Sequence, residues 1–248
     1  MALGKTNLSF QAGTLNALVG PNGSGKTTLL KVASGLLDGY AGDVKIGNLN
    51  LASMSTQKRS KCISFAASGI DFPFDYTVWD AVSQGRSPHL DMLGNLSDDD
   101  TRKIEDSIER MALKGFEKRS VNRLSQGERE RVVIARHFCQ DTPVMLFDEN
   151  LAHLDLKHRL SFVDEMKRLA LEGKTIIVAI HELEFAARYF PMITLMKNGE
   201  IIGSAKREEI ITCGMLSKAY DLDFKIKDSE NPDEIVIIPG KKSTLTQN

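Results

Sequence analysis

Lys26 and Thr27 close a run whose residue types and spacing suit a polyphosphate: Gly20-Pro21-Asn22-Gly23-Ser24-Gly25-Lys26-Thr27-Thr28. Every fixed position of G-x-x-x-x-G-K-[ST] is met. Glycines admit turns that a Cβ resists, so successive backbone N–H groups can converge on one anion. The Lys26 ammonium suits the β- and γ-phosphates, and the Thr27 hydroxyl suits Mg²⁺. Two further positions carry acid–base groups. Val144-Met145-Leu146-Phe147 is an apolar run of strand length that ends in Asp148-Glu149, and Thr175 to Ile180 is a second, with His181 at its end. A nucleotide-hydrolysing site needs a phosphate cradle, a carboxylate for the metal and a group that orients water. Asp148 suits the metal role, and Glu149 is placed to polarise the attacking water.

These groups need elements to hold them. Leu15-Asn16-Ala17-Leu18-Val19 reads as a buried strand before the glycine run. Leu29, Leu30 and Ala33 mark a helical face after it, and Gly35 is placed to cap that helix. Strand, loop and helix in that order aim a helix N-terminus at the anion. Asn7 to Phe10 reads as a strand, Val44 and Ile46 alternate as in a small half-buried one, and Lys61 to Phe65 gives another. Ser97-Asp98-Asp99-Asp100 predicts a helix start, with Ser97 as cap and the carboxylates at the positive end of the dipole. Metal binding is the other use of such an acidic triplet. Ile104, Ile108 and Met111 continue one face at helical spacing. Helices are expected over 129–139 and over 156–171, the second closed by Gly173. Ile193 to Ile202, with Asn198-Gly199 inside, reads as a hairpin. Phe72, Phe74, Tyr76 and Trp79 crowd four aromatics into eight positions, as local core or as a docking surface. Lys241 to Asn248 is polar and expected to fray.

The 248 residues allow one large domain or two small ones. The net charge of −1 gives no basic field for nucleic acid. Cys62, Cys139 and Cys213 lie too far apart to suggest a metal knuckle or a disulfide framework. No signal peptide is visible, and the longest aliphatic run, Ile176 to Ile180, is too short to span a bilayer. Work at a membrane therefore calls for another chain.

With these residues in place the chain resembles the ATP-binding subunits of ABC transporters. Gly20 to Thr28 is similar to the Walker A motif, and Val144 to Glu149 to the Walker B motif with its following Glu. Leu124-Ser125-Gln126-Gly127-Glu128 is similar to the signature LSGGQ, Ala152-His153-Leu154-Asp155 to the D-loop, and His181 to the switch histidine. Gln84 to His89, His153 to Leu156 and the tail through Ile235 to Pro239 resemble the importers of ferric siderophores, haem and vitamin B12. The resemblance implies an α/β fold: a P-loop NTPase core, a RecA-like mixed sheet with flanking helices, plus a small antiparallel β part and an inserted α-helical subdomain. One domain is implied over 1–248, with the core at 1–69 and 126–210, the helical subdomain at 70–125 and a C-terminal extension from 211. ATP and Mg²⁺ are the implied cofactors. Lys26, Glu149 and His181 would be catalytic, and Thr27 and Asp148 would hold the metal. Nucleotide would be held by residues 20–28 and, from a second subunit, by Ser125, Gln126, Gly127 and Glu128. The implied partners are that second ATPase subunit in a homodimer, an integral membrane permease at the cytoplasmic face of the inner membrane and, indirectly, a solute-binding protein; nucleic acid is not expected.

The chain departs from the family pattern in four places. It begins after the strand that usually carries an adenine-stacking aromatic, so that residue is unassigned. Ser68 aligns where Gln is usual, Gln126 replaces the first Gly of the signature pair, and Asn150 follows Glu149 where Pro is usual. Three rival readings stand beside the transporter. A GTPase lacks support, because no N-K-x-D motif reads the base. A nucleic-acid ATPase of the ABC class shares the signature but fits poorly with the near-neutral charge. A nucleotide-binding subunit with weak hydrolysis is kept open by Ser68 and by the N-terminus.

Overall fold

A computed structural model describes residues 3–70, 72–91, 93–227 and 235–241. Residues 242–248, expected to fray, lie outside that set. The wholly buried run Leu15–Val19 forms β1 and leads through the glycine loop into α1, Lys26–Ser34. Gly35 ends α1 in the left-handed region, where its N–H bonds the carbonyls of Lys31 and Val32. Two short strands follow, β2 at Lys45–Ile46 and β3 at Leu49–Asn50, which pair antiparallel. Then come α2, Thr56–Cys62, and β4, Ile63–Ala67. Helices α3, Val78–Ser83, and α4, Asp98–Arg110, precede α5, Gln126–Gln140. The second half continues with β5, Val144–Asp148, α6, Leu156–Leu171, β6, Thr175–Ala179, and α7, Leu183–Tyr189. The chain ends in β7, Met192–Lys197, β8, Glu200–Lys206, α8, Arg207–Ile210, α9, Cys213–Tyr220, β9, Asp223–Lys227, and β10, Val236–Gly240.

Six strands form the central sheet in the order β4-β5-β6-β1-β7-β8. All neighbours are parallel except β7 and β8, the hairpin turned at Asn198-Gly199. Both turn residues have positive φ, 50° and 83°, as a tight two-residue hairpin loop requires. Strand side chains alternate between two buried faces. Met145 and Phe147 point into a large core with Val132, Phe138 and Phe162, while Leu146 points the other way, toward Leu30 of α1. Burial on both faces explains why β1, β5 and β6 read as continuous apolar runs. Helices α3 and α4 pack on α5, and β9 and β10 form a separate antiparallel pair beside α7 and α9.

Several expectations change here. Asn7 to Phe10 forms no strand. The strand expected around Val44 and Ile46 shrinks to two residues. The helix expected from Arg129 starts three residues earlier, because Ser125 caps it. The aromatic group divides: Phe72 is buried, Tyr76 and Trp79 are half-buried against the core, and Phe74 is 65% exposed. Ser97-Asp98-Asp99-Asp100 opens α4 through a reciprocal cap between Ser97 and Asp100. Among the described residues no group of three or more His, Cys, Asp or Glu could hold a metal.

Candidate nucleotide site

The strand order decides what meets at the carboxyl edge of the sheet. β5, β6 and β1 are adjacent, in that order. The loop 20–25, the pair Asp148-Glu149 and His181 therefore emerge side by side, in the crevice where open α/β sheets bind ligands. A cleft of about 450 Å³ opens there, lined by residues 22–28, Glu149 and His181.

The loop is shaped by its glycines and held by the hairpin. A Cβ on Gly20 would sit 2.2 Å from the Met196 carbonyl oxygen, so no larger residue fits under β7. Gly199 N–H donates to the Ser24 carbonyl at 2.8 Å and ties the hairpin turn to the loop. Ser24 Oγ is buried without a partner, as a hydroxyl kept for an anion would be. Gly25 caps α1 with φ 102° and no side chain, which leaves the first-turn N–H groups of that helix free of a capping oxygen. Gly20 and Pro21 underlie the cleft and supply carbonyls to Lys26, whose Nζ donates to Gly20 O at 2.9 Å and Pro21 O at 3.4 Å.

The charged groups are close and mostly buried. Lys26 is 4% exposed and Asp148 is 7%. Burial lowers the Lys26 pKa from its ordinary value, opposed by the carboxylates of Glu149 and Asp148. Burial likewise raises that of Asp148, with the Thr27 bond opposing and Glu149 adding to the rise. Thr27 Oγ1 donates to Asp148 Oδ1 at 3.1 Å, so hydroxyl and carboxylate share one point. This pair fits Mg²⁺, which takes one or two protein oxygens and completes its shell with phosphates and water. His181 Nε2 lies 2.5 Å from Glu149 Oε1, so the two side chains meet at the cleft wall.

The remaining site candidates lie elsewhere. Ser125 caps α5, and its hydroxyl accepts from Glu128 N–H while the Glu128 carboxylate accepts from Ser125 N–H at 2.7 Å. Ser125 and Gln126 are exposed, Gly127 and Glu128 half-exposed, and none of the four lines the cleft. Ser68 stands at the edge of the site, its N–H bonded to the Asp148 carbonyl at 3.1 Å.

The ABC transporter family profile matches residues 3–152. The chain belongs to the ABC transporter family. The iron(3+)-hydroxamate import ATP-binding protein FhuC of Bacillus subtilis (strain 168) is 34% identical over 221 residues, 89% of this chain and 82% of that protein. The petrobactin import ATP-binding protein YclP of the same organism is 32% identical, covering 93% of this chain and 91% of its own length. Among solved structures, the dimeric structure of MJ0796, a bacterial ABC transporter cassette, superposes with a TM-score of 0.74 at 27% identity, over 83% of this chain and 90% of that one. This ABC ATPase thus has the fold that its motifs imply, a mixed sheet with flanking helices and small antiparallel parts. Two residues with a part in the site escape the motif reading. Glu130, inside α5, and Asn150, beyond Glu149, are buried and bonded to each other at 2.5 Å. Asn150 stands out in the sequence as a departure from Pro, but nothing there marks Glu130 as its partner.

Proposed function

We propose that this ABC ATPase hydrolyses ATP to power an importer of an iron–siderophore, haem or cobalamin-type substrate. The observation that carries the reading is the convergence of a phosphate loop, a metal-suited Thr27–Asp148 pair and a Glu149–His181 pair on three adjacent strand ends. The names of FhuC and YclP support iron–siderophore import as the setting.

The geometry supports the following division of labour. Residues 20–28 cradle the phosphates with backbone N–H groups, and the Lys26 ammonium swings from its carbonyls to the β- and γ-oxygens. Thr27 and Asp148 would hold Mg²⁺, which would supply charge neutralisation on the phosphates. Glu149 orients the attacking water, and His181 holds Glu149 in place. Ser125, Gln126, Gly127 and Glu128 face the nucleotide of a second subunit, as a helix N-terminus supplied in trans. The core spans 1–69 and 126–210, with the helical part 70–125 and the segment from 211 as an extension. Among the described residues no helix is long and apolar enough to cross a membrane. A permease supplies the membrane path, and this subunit works at its cytoplasmic face. Solute choice rests with that permease and a solute-binding protein, and no nucleic acid takes part.

The test is Glu149→Gln. It should leave ATP binding intact, cut turnover about a hundredfold or more and accumulate an ATP-bound dimer by size-exclusion chromatography. Wild-type turnover in that variant would remove Glu149 from the chemistry.

A further inference from the structure

Glu149 holds a backbone conformation that a residue with a Cβ resists. Its φ is 61°, in the left-handed region. Such a residue persists only where its surroundings fix it. On one side, Glu149 N–H bonds the Ala179 carbonyl at 3.3 Å, and Ala152 N–H bonds the Glu149 carbonyl at 3.1 Å. On the other side the next residue, Asn150, is 0% exposed. Its Nδ2 donates to Glu130 Oε1 at 2.5 Å, and its Oδ1 has no partner. A half-satisfied amide and a 3% exposed carboxylate are costly cargo for a core. An apolar pair would pack there without that cost.

The loop after β4 reaches the same strand end. In it, Ser68 N–H is bonded to the Asp148 carbonyl. The loops after β4 and β5 are therefore tied directly between backbones, and Glu130 of α5 holds the second of them through Asn150. That helix begins at Ser125, and a Cβ on its Gly127 would lie 3.1 Å from the His153 carbonyl. One buried carboxylate thus joins the signature helix to the segment carrying Glu149.

We infer that Glu130 is a positioning residue that aims Glu149, by holding the Asn150 amide on its buried carboxylate. The inference rests on Glu149 orienting the lytic water. A shift of α5 must either carry Asn150 with it or break a buried bond that water cannot replace. Either event turns the backbone at Glu149 and moves its carboxylate away from His181. Displacements of about 1 Å at a reacting group cost up to about a hundredfold in rate. The device acts on turnover and leaves the phosphate loop untouched.

The experiment exchanges donor and acceptor in the full-length chain. Asn150→Asp opposes two carboxylates and should cut kcat about tenfold or more, while affinity for trinitrophenyl-ATP stays within about twofold. Adding Glu130→Gln restores an amide–carboxylate bond with its direction reversed, and kcat should return to within about threefold of wild type. If Asn150→Asp does not fold by circular dichroism, Asn150→Ala removes the donor without adding charge and carries the same kcat and affinity expectation. Unchanged kcat in a folded variant, an equal loss of nucleotide affinity, or no rescue by Glu130→Gln overturns the proposal. Glu149→Gln measured alongside separates the two ideas. Wild-type turnover there sinks the role of Glu149 itself, whereas a dead Glu149→Gln beside a fully active Asn150→Asp sinks the positioning alone.

Discussion

At the scale of single residues, Ser68 has the most to say about rate. Its N–H is anchored to the Asp148 carbonyl, so its side chain starts beside the metal pair. The family usually places there a Gln, whose amide reaches the metal and the water near the γ-phosphate. A serine hydroxyl can donate and accept but is much shorter, so it needs a bridging water to cover the gap. Such a bridge costs about 0–2 kcal/mol of ordering entropy. We expect ATP binding to survive, because residues 20–28 and Asp148 make most of the proposed contacts, and we expect basal hydrolysis to be slow. Ser68→Gln should raise basal turnover by up to about thirtyfold, the rate equivalent of about 2 kcal/mol, and weaken dependence on the permease. Hydrolysis rates of both forms, alone and in complex, check this; equal rates would take Ser68 out of the chemistry. The contrast with Glu130 shows what a sequence exposes at this scale. The phosphate loop is legible because its chemistry lies in consecutive residue types. Glu130 is not legible, because a Glu four residues into a charged helix start reads as solvated until the fold buries it against a partner 20 positions away.

At the scale of elements, the first turn of α4 shows how local signals and tertiary packing combine. Ser97 and Asp100 cap each other, as their spacing predicts. The fold adds that Asp100 also accepts from Arg86 Nε at 2.7 Å, with both side chains buried, and that Arg86 donates to the Cys139 carbonyl at 2.8 Å. One carboxylate thus fastens α4 to the turn 84–89 and, through Arg86, to the end of α5. Burial opposes ionisation of Asp100, but the Ser97 hydroxyl, the Ser97 N–H and Arg86 outweigh it, and its pKa falls from 3.8 to about 2. A depressed carboxylate contributes its full stability above pH 3.8 and loses it as the pH falls through about 2. Asp100→Asn leaves a buried guanidinium unpaired and should destabilise the chain by about 3 kcal/mol at neutral pH. Urea unfolding across pH should show the gap from wild type closing between pH 3.8 and about 2; a constant gap would mean that the ion pair carries no weight. Elements with a strong apolar period or a cap were legible from the chain alone. The strand expected at Asn7 to Phe10 was not realised, because alternation needs a neighbouring ladder and the sheet supplies none there.

At the scale of the whole molecule, the sheet order and the position of the signature are what the chain alone could not reveal. Nothing local states that β6 lies between β5 and β1, yet that order brings Asp148, Glu149 and His181 to the phosphate loop. The signature, by contrast, stays apart. Ser125 is exposed at the start of α5, outside the cleft. Its hydroxyl is engaged with the N–H of Glu128, and Gln126 is exposed as well. An exposed helix N-terminus suits a phosphate held by another chain. The proposal of a trans site therefore makes a specific demand. Ser125→Arg should spoil the partner's site, not its own, and Lys26→Ala should spoil its own. Each homodimer then carries two defective sites and should lose hydrolysis. A mixed dimer carries both lesions in one composite site and has the other intact, with a wild-type phosphate loop facing a wild-type signature. Co-expression with two affinity tags isolates that mixed species. Its turnover should return to a measurable fraction of wild type, while both homodimers stay inactive. If Ser125→Arg homodimers hydrolyse ATP at the wild-type rate, or if mixing restores nothing, the two subunits do not share their sites in this way.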